Sequence, residues 1–269
     1  MYYSEILQSS VKAGMSGGTA MIFQVSSLMW LRTTMNYQYK NGGNMVNTLG
    51  LLYKEGGVKR LYRGYPFALM QGPLARFGDT AMNKLSNEVL KDQNVMVRTG
   101  GGTLCASLWR IFIMPIDTFK SNLQIHGNKG IETVKQKLVK SGPGILWHGS
   151  LASVGTSIMG HYPWFFTYNY LSENIPKIDG SKNLARSMAI GFCSGTASDI
   201  ISNSVRVIKI NKQTSDSSIS YRESIRNVVK QDGVKGLFTR GLKTKLLLNG
   251  IQSSIFVLIY DLLNNLGKD

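Results

Sequence analysis

The chain has 269 residues, of which 43% are hydrophobic and only 17% charged, with 29 glycines and a formal net charge of +16. Soluble domains carry about 25% charged residues and about 7% glycine, so this balance points away from a soluble helical protein and toward a membrane protein. A mean hydropathy of −0.07 and the lack of any run of ~20 apolar residues exclude plain apolar spans, leaving helices with one lipid face and one wet face.

The positive charge is a first pointer to nucleic acid. Lys and Arg are spread along the whole chain, however, without a basic stripe interleaved with aromatics, and anionic lipid or anionic solutes suit that spread as well. Cys105 and Cys193 fall in apolar helical stretches and are expected as buried free thiols. The start, Met1-Tyr2-Tyr3-Ser4-Glu5, has the pattern of neither a signal peptide nor an Arg-rich transit peptide.

Along the chain, long helices are expected over 8–36, 64–90, 98–124, 149–174, 184–211 and 241–265. Short amphipathic helices are expected over 44–55, 131–140 and 221–231, the last two from Ile131, Val134, Leu138 and Ile225, Val228, Val229 at helical spacing. The first long helix of each set carries small residues on one face: Gly14, Gly17, Gly18; Gly101, Gly102, Ala106; Gly191, Gly195, Ala197. Such spacing lets helix backbones approach closely inside a bilayer. The second long helices carry aromatics, among them Phe67, Phe77, Trp164, Phe165, Phe256 and Tyr260.

One phrase occurs three times: Glu55-Gly56-Gly57-Val58-Lys59-Arg60-Leu61-Tyr62-Arg63-Gly64, Ser141-Gly142-Pro143-Gly144-Ile145-Leu146-Trp147-His148-Gly149 and Asp232-Gly233-Val234-Lys235-Gly236-Leu237-Phe238-Thr239-Arg240-Gly241. The middle copy is one residue shorter between its anchoring glycines, and the closing glycines lie 85 and 92 residues apart. A period near 90 residues is one supersecondary unit repeated. The expected architecture is a single all-α membrane domain, 1–269, of three tandem repeats (about 1–92, 93–178 and 179–269) forming six transmembrane helices in a pseudo-threefold barrel. The phrase-bearing loops hold 16 Lys/Arg against 6 in the opposite connectors, which places them on the positive side of the membrane and both termini on the other.

Met114-Pro115-Ile116-Asp117-Thr118-Phe119-Lys120 resembles the P-x-D-x-x-K signature of the mitochondrial carrier family, and the acid-Gly…aromatic-basic-Gly phrase resembles its second hallmark. The resemblance covers essentially the whole chain. It implies residence in the mitochondrial inner membrane, with the phrase loops in the matrix, the termini toward the intermembrane space, and a water-filled central cavity. It also implies a matrix gate in which the Asp of one repeat pairs with the Lys of the next. The first-copy counterparts are taken as Val25, Ser27 and Trp30, the third-copy ones as Ser204, Arg206 and Lys209. Asp117–Lys209 is then the one intact pair; Lys120 faces Ser27, and Arg206 faces Trp30 as a cation–π contact. On the cytoplasmic side the resemblance leaves Lys84, Tyr168, Tyr260 and Asp261, with Asp261–Lys84 as the remaining pair.

The family's substrate positions fall here on Gln71, Gly72, Thr156, Ser157 and Asn249, with Arg76, Asp79, His161 and Gln252 about one or two turns on. This set is mainly neutral, and Arg76 and Asp79, three apart on one face, are candidates to neutralise each other. Arg63, Gly64, Gly149, Arg240 and Gly241 match the family's cardiolipin sites at helix N-termini, where backbone N–H groups favour a phosphate. No enzyme motif, cofactor or metal site is expected, since His126, His148 and His161 do not cluster at metal spacing. The functional expectation is small-metabolite transport by alternating access with degenerate gates. The alternative is a carrier-fold subunit of an inner-membrane respiratory or ATP synthase complex that no longer transports.

Overall fold

The computed structural model describes the backbone over residues 2–176 and 181–266, and side chains over 8–12, 15, 21–94, 97–176, 183 and 185–255. The surroundings of Gly14, Gly17 and Gly18, and the side chains of Phe256, Tyr260 and Asp261, lie outside the described residues. All regular structure among the described residues is helical: α1 (Tyr2–Asn41), α2 (Met45–Leu61), α3 (Tyr65–Val89), α4 (Val95–Phe112), α5 (Met114–His126), α6 (Gly130–Ser141), α7 (Ser150–Asn174), α8 (Ser181–Thr214), α9 (Tyr221–Thr239) and α10 (Leu242–Leu266). Asn44, Asn94 and Ser220 open α2, α4 and α9 by accepting from the backbone N–H three residues on.

The three long helices that precede the phrases differ in how they bend. The helix of the second copy breaks at Ile113, just before Pro115, whose ring removes an N–H and crowds the preceding turn. α1 departs from helical geometry at Leu28 with no proline nearby, and α8 runs unbroken from 181 to 214.

The repeated phrase has a backbone basis. Its opening glycines, Gly57, Gly142 and Gly233, have φ of 61°, 74° and 67°, and its closing glycines, Gly64, Gly149 and Gly241, have φ of 81°, 90° and 64°. Only glycine adopts this region without strain, so each copy turns twice at fixed points. The first turn in the first copy is at Gly57 rather than Gly56. The odd copy out is therefore the third, one residue longer than the other two.

The long helices close on themselves in space: α1 packs on α3, α3 on α4, α4 on α7, α7 on α8, α8 on α10, and α10 on α1. Close approach is set by Gly78 on α3, where an added Cβ would lie 1.9 Å from the Trp109 ring of α4, and by Gly101 and Gly102, packed on Ser86 and Asn83. Gly191 and Gly195 do something else. Gly191 has nothing within 4 Å of an added Cβ, Gly195 only the Asn249 amide at 3.6 Å, and both residues line the central cavity.

Three buried cations tie one unit to the C-terminal carbonyls of the next long helix. Arg60 donates to Gln124 O and Ile125 O at 2.8 Å each, Lys137 to Gln213 O at 3.2 Å, and Arg240 to Lys40 O at 2.8 Å. These carbonyls lack intrahelical partners and form the negative end of the helix dipole, which favours a donor there and offsets part of the cost of burying its charge. Polarity is inverted relative to a soluble protein. Ser194, Ser202, Asn203 and Thr244 are fully buried, while Leu108, Phe112, Leu151 and Tyr162 are exposed by 67–74%. Cys105 and Cys193 are free, as expected, but exposed rather than buried, because their helices turn that face outward. No helix of the described residues is long and apolar enough to cross a membrane on a hydropathy criterion.

Candidate functional site

The helices enclose a cavity of about 1010 Å³. At its base, Asp117 accepts from Lys209 at 2.7 Å and from Lys120, one turn along its own helix, at 2.5 Å. Lys120 also donates to Gln71 Oε1 at 2.9 Å, and Gln213 reaches the second Asp117 oxygen at 3.2 Å. The Asp117 side chain is only 7% exposed. One carboxylate thus ties α5 to α8, while Lys120 ties α5 to α3.

Arg206 does not face Trp30. It pairs with Asp199 one to two turns up α8, and Asp199 is also engaged by the Asn249 amide and lies 3.7 Å from Lys245. Trp30 instead packs against the Leu28–Leu31–Leu248 cluster. The reason is register. Gly64 packs on Lys120 O and Leu123, Gly149 on Lys209 and Gln213, and Gly241 on Met35 O and Tyr39. Likewise Asn122 donates to Gln213 O, and Asn211 to Tyr39 O. Met35 and Tyr39 thus stand where the other copies have Lys120/Lys209 and Gln124/Gln213. The first-copy counterparts of Pro115, Asp117 and Lys120 are Trp30, Arg32 and Met35, five residues beyond Val25, Ser27 and Trp30. Arg32 precedes Gly64 by 32 residues, the same step that separates Asp117 from Gly149. Its counterpart position in α8 is Arg206. A cation therefore replaces the acid in two of three copies.

Of the expected solute contacts, Gln71, Gly72, Arg76, Asp79, Asn249 and Gln252 line the cavity. Gly72 lies so close to α1 that a Cβ would meet Val25 at 2.9 Å. Asn249 accepts from Lys245, and Gln252 donates to Gln24. Asp79 is not neutralised by Arg76. It is held by Arg110 of α4 through two bonds, at 2.6 and 3.1 Å, and Arg76 lines the cavity with an exposed side chain. The third-copy and first-copy positions reach the cavity, but those of the second copy do not. Arg110 also donates to Ser157 at 3.1 Å and covers it; Thr156 bonds back to Ala152 O, and His161 is taken by Thr103 at 2.6 Å. From α7 it is Ser153 and Trp164 that line the space, Trp164 stacking at 5.0 Å on Tyr168. Lys84 is half-buried on α3, and its expected partner Asp261 lies outside the described side chains.

The expected lipid contacts divide. Gly64 and Gly149 are the left-handed N-caps of α3 and α7, and Arg63 is half-buried beside the first. Arg240 is 3% exposed and fully committed to Asp232, Gln231 and Lys40 O, so its guanidinium is not presented to a lipid. Gly241 packs on the Tyr39 ring, where a Cβ would lie at 2.7 Å. At the α7 N-terminus the Tyr221 hydroxyl accepts from Ala152 N at 3.3 Å, standing where a phosphate oxygen was expected. Burial raises the Tyr221 phenol above its ordinary value, keeping it neutral, and lowers His148, which is thus neutral at pH 7 and supplies no cation there.

Arg110 and Asp199 were absent from the sequence expectations. Their signal was present in plain form, as ionisable residues inside long helices of a chain with a membrane-leaning composition. With Arg32, Arg76, Arg110, Lys120, Lys209 and Lys245 against Asp79 and Asp117, the cavity wall is strongly cationic rather than mainly neutral.

A family model described as "Mitochondrial carrier protein" matches residues 91–178 and 180–269. The chain is 24% identical over 271 residues to an uncharacterised mitochondrial carrier of Schizosaccharomyces pombe, an alignment covering 95% of this chain and 74% of that protein. It is 21% identical over 165 residues to nicotinamide adenine dinucleotide transporter 1, chloroplastic, of Arabidopsis thaliana, covering 55% of this chain and 53% of that one. The chain thus spans about half the length of the Arabidopsis protein in that alignment.

Proposed function

Because the chain belongs to the mitochondrial carrier family, whose members are transporters, we propose that it moves a small metabolite across the mitochondrial inner membrane by alternating access. The observation that carries this proposal is a cavity of about 1010 Å³, a volume suited to a metabolite. Its base is spanned by the ion pair between Asp117 and Lys209 on separate units. In this proposal the three units are residues 1–92, 93–178 and 179–269 of one domain, six helices cross the bilayer, and each presents polar groups inward and apolar groups to lipid. The matched spans 91–178 and 180–269 support the last two unit boundaries.

The phrase-bearing loops face the matrix and the termini the intermembrane space, as the Lys/Arg asymmetry favours. Asp117, Lys120 and Lys209 form the matrix-side closure. Lys84, Tyr168, Tyr260 and Asp261 belong to the opposite mouth, and Gln71, Arg76, Asp79, Asn249 and Gln252 contact the solute. Anionic lipid, cardiolipin foremost, sits at the α3 N-terminus near Arg63 and Gly64. No observation favours a non-transporting subunit over this reading.

Reconstitution into cardiolipin-containing vesicles, with uptake measured over a panel of metabolites, tests the proposal. Saturable uptake of at least one solute, lost in Gln71→Ala and Asn249→Ala variants that still fold, is expected. Absence of saturable uptake for every solute in both vesicle orientations would overturn it.

A further inference from the structure

We propose that the base of the cavity is an anion seat, built by Arg32 with Lys120, Lys209 and Lys245, for a phosphate group. The charge balance carries the proposal. Five cations meet there (Arg32, Lys120, Lys209, Lys245 and Arg206) against two carboxylates, Asp117 and Asp199. Asp117 is already shared by Lys120 and Lys209, and Asp199 by Arg206 and Lys245, so neither is left for Arg32.

Arg32 faces the cavity, its Nε is buried without a hydrogen-bond partner, and no ion pair to it occurs among the described residues. Among the charges within electrostatic reach of it are those of Lys120 and Lys245, which have its own sign. A cation partly removed from water beside two other cations is costly until a counter-charge arrives.

The position of Arg32 identifies what the counter-charge replaces. In the second copy the equivalent residue is Asp117, which reaches forward to the lysine of the next unit. An acid at 32 would reach Lys120 in the same manner. Arginine there removes that carboxylate and adds a charge of the opposite sign, so an external dianion sits between Arg32 and Lys120 and restores the missing bridge between α1 and α5. A tetrahedral phosphate suits the seat better than a carboxylate. A phosphate monoester is largely dianionic at neutral pH and the free ion partly so; either offers at least three oxygens to groups converging from α1, α5, α8 and α10, and a guanidinium fork binds two of them at once. The bound phosphate is either free inorganic phosphate or the headgroup of a phosphorylated solute, and in the second case it is the cargo of the transport proposed above.

The test is binding by the purified full-length protein in detergent, which stands or falls apart from any transport assay. Thermal unfolding is followed against inorganic phosphate, a small phosphate monoester, malonate, and chloride at matched ionic strength. A saturable rise in Tm with phosphate, absent in chloride and weaker with malonate, is expected. A monoester response matching or exceeding that of inorganic phosphate assigns the headgroup of a solute; a response to inorganic phosphate alone assigns the free ion.

Arg32→Gln is expected to raise the half-saturating phosphate concentration by about tenfold or more, and Arg32→Lys by less. Arg32→Asp supplies the absent acid, so this variant should have a higher Tm than wild type without phosphate and no response to it. Equal stabilisation by chloride or by malonate, an unchanged phosphate response in Arg32→Gln, or a phosphate-sensitive Arg32→Asp protein each overturns the proposal. Loss of transport with phosphate binding intact would count against the transport proposal alone.

Discussion

Asp117 compensates two lysines at once, and that sharing makes it more costly to remove than either partner. In Asp117→Asn the amide leaves Lys120 and Lys209 facing each other in a largely buried site at the cavity base. Breaking a buried pair from the side that strands a charge costs about 3–5 kcal/mol. Lys209→Met strands nothing, because Lys120 still holds the carboxylate. The expected order of Tm in detergent is wild type, then Lys209→Met, then Asp117→Asn well below both; equal losses would show that the carboxylate is not shared.

Lys137 offers a second test with a defined pH window. Burial pushes it from its ordinary 10.5 down to about 8, partly opposed by Asp216. Between those two values the unfolded chain holds the proton and the folded chain releases it, so stability rises with pH from about 8 to about 10.5 and is lowest on the plateau below 8. Lys137→Met removes that burden, and Gln213 O keeps its bond from Asn122. The variant should therefore unfold at higher temperature than wild type at pH 7, with the gap closing by pH 10. A gap that widens with pH would contradict the assignment.

At the scale of elements, the tightest approach between α3 and α4 is at the missing Cβ of Gly78. Trp109 lies across that glycine and donates to Leu74 O at 2.7 Å, so its ring is not free to rotate away. Gly78→Ala should lower Tm strongly, by the 1–3 kcal/mol or more typical of overpacking. Gly191→Ala, with open space around it, should be neutral or stabilising by up to ~1 kcal/mol from helix propensity. Similar effects of the two, read by thermal unfolding, would remove Gly78 as the contact point.

The elements themselves were legible in the sequence because glycine is nearly obligatory at positive φ, so the phrase marks the starts of α3, α7 and α10 by backbone necessity. The register of the first copy had one sequence signal, the 32-residue step from Arg32 to Gly64 that equals the step from Asp117 to Gly149. Trp30, Arg32 and Met35 keep none of the residue types at Pro115, Asp117 and Lys120, so residue identity pointed elsewhere, and the carbonyl that Asn211 reaches and the side chain that Gly241 touches decide the matching. The cavity charge was misjudged for a related reason. Arg110 on α4 and Asp199 on α8 reach the interior from the first long helix of their units, away from the second long helices on which the family's substrate positions fall.

On the scale of the whole molecule, the unequal bends matter most. α1 has its break at Leu28, the α4–α5 helix at Ile113, and α8 has none. Two of the three long struts carry a joint and the third is a rigid post. An aperture made by flexing the joints cannot widen like an iris; it must open eccentrically, on the side away from α8. Spin labels at positions 44, 129 and 216, introduced after replacing Cys105 and Cys193, report the three edges of that triangle. Its edges should change by unequal amounts between the two end states, and equal changes on all three would restore threefold motion. A path that opens off-centre also meets the solute from one flank, so entry and exit select for different ends of the same molecule.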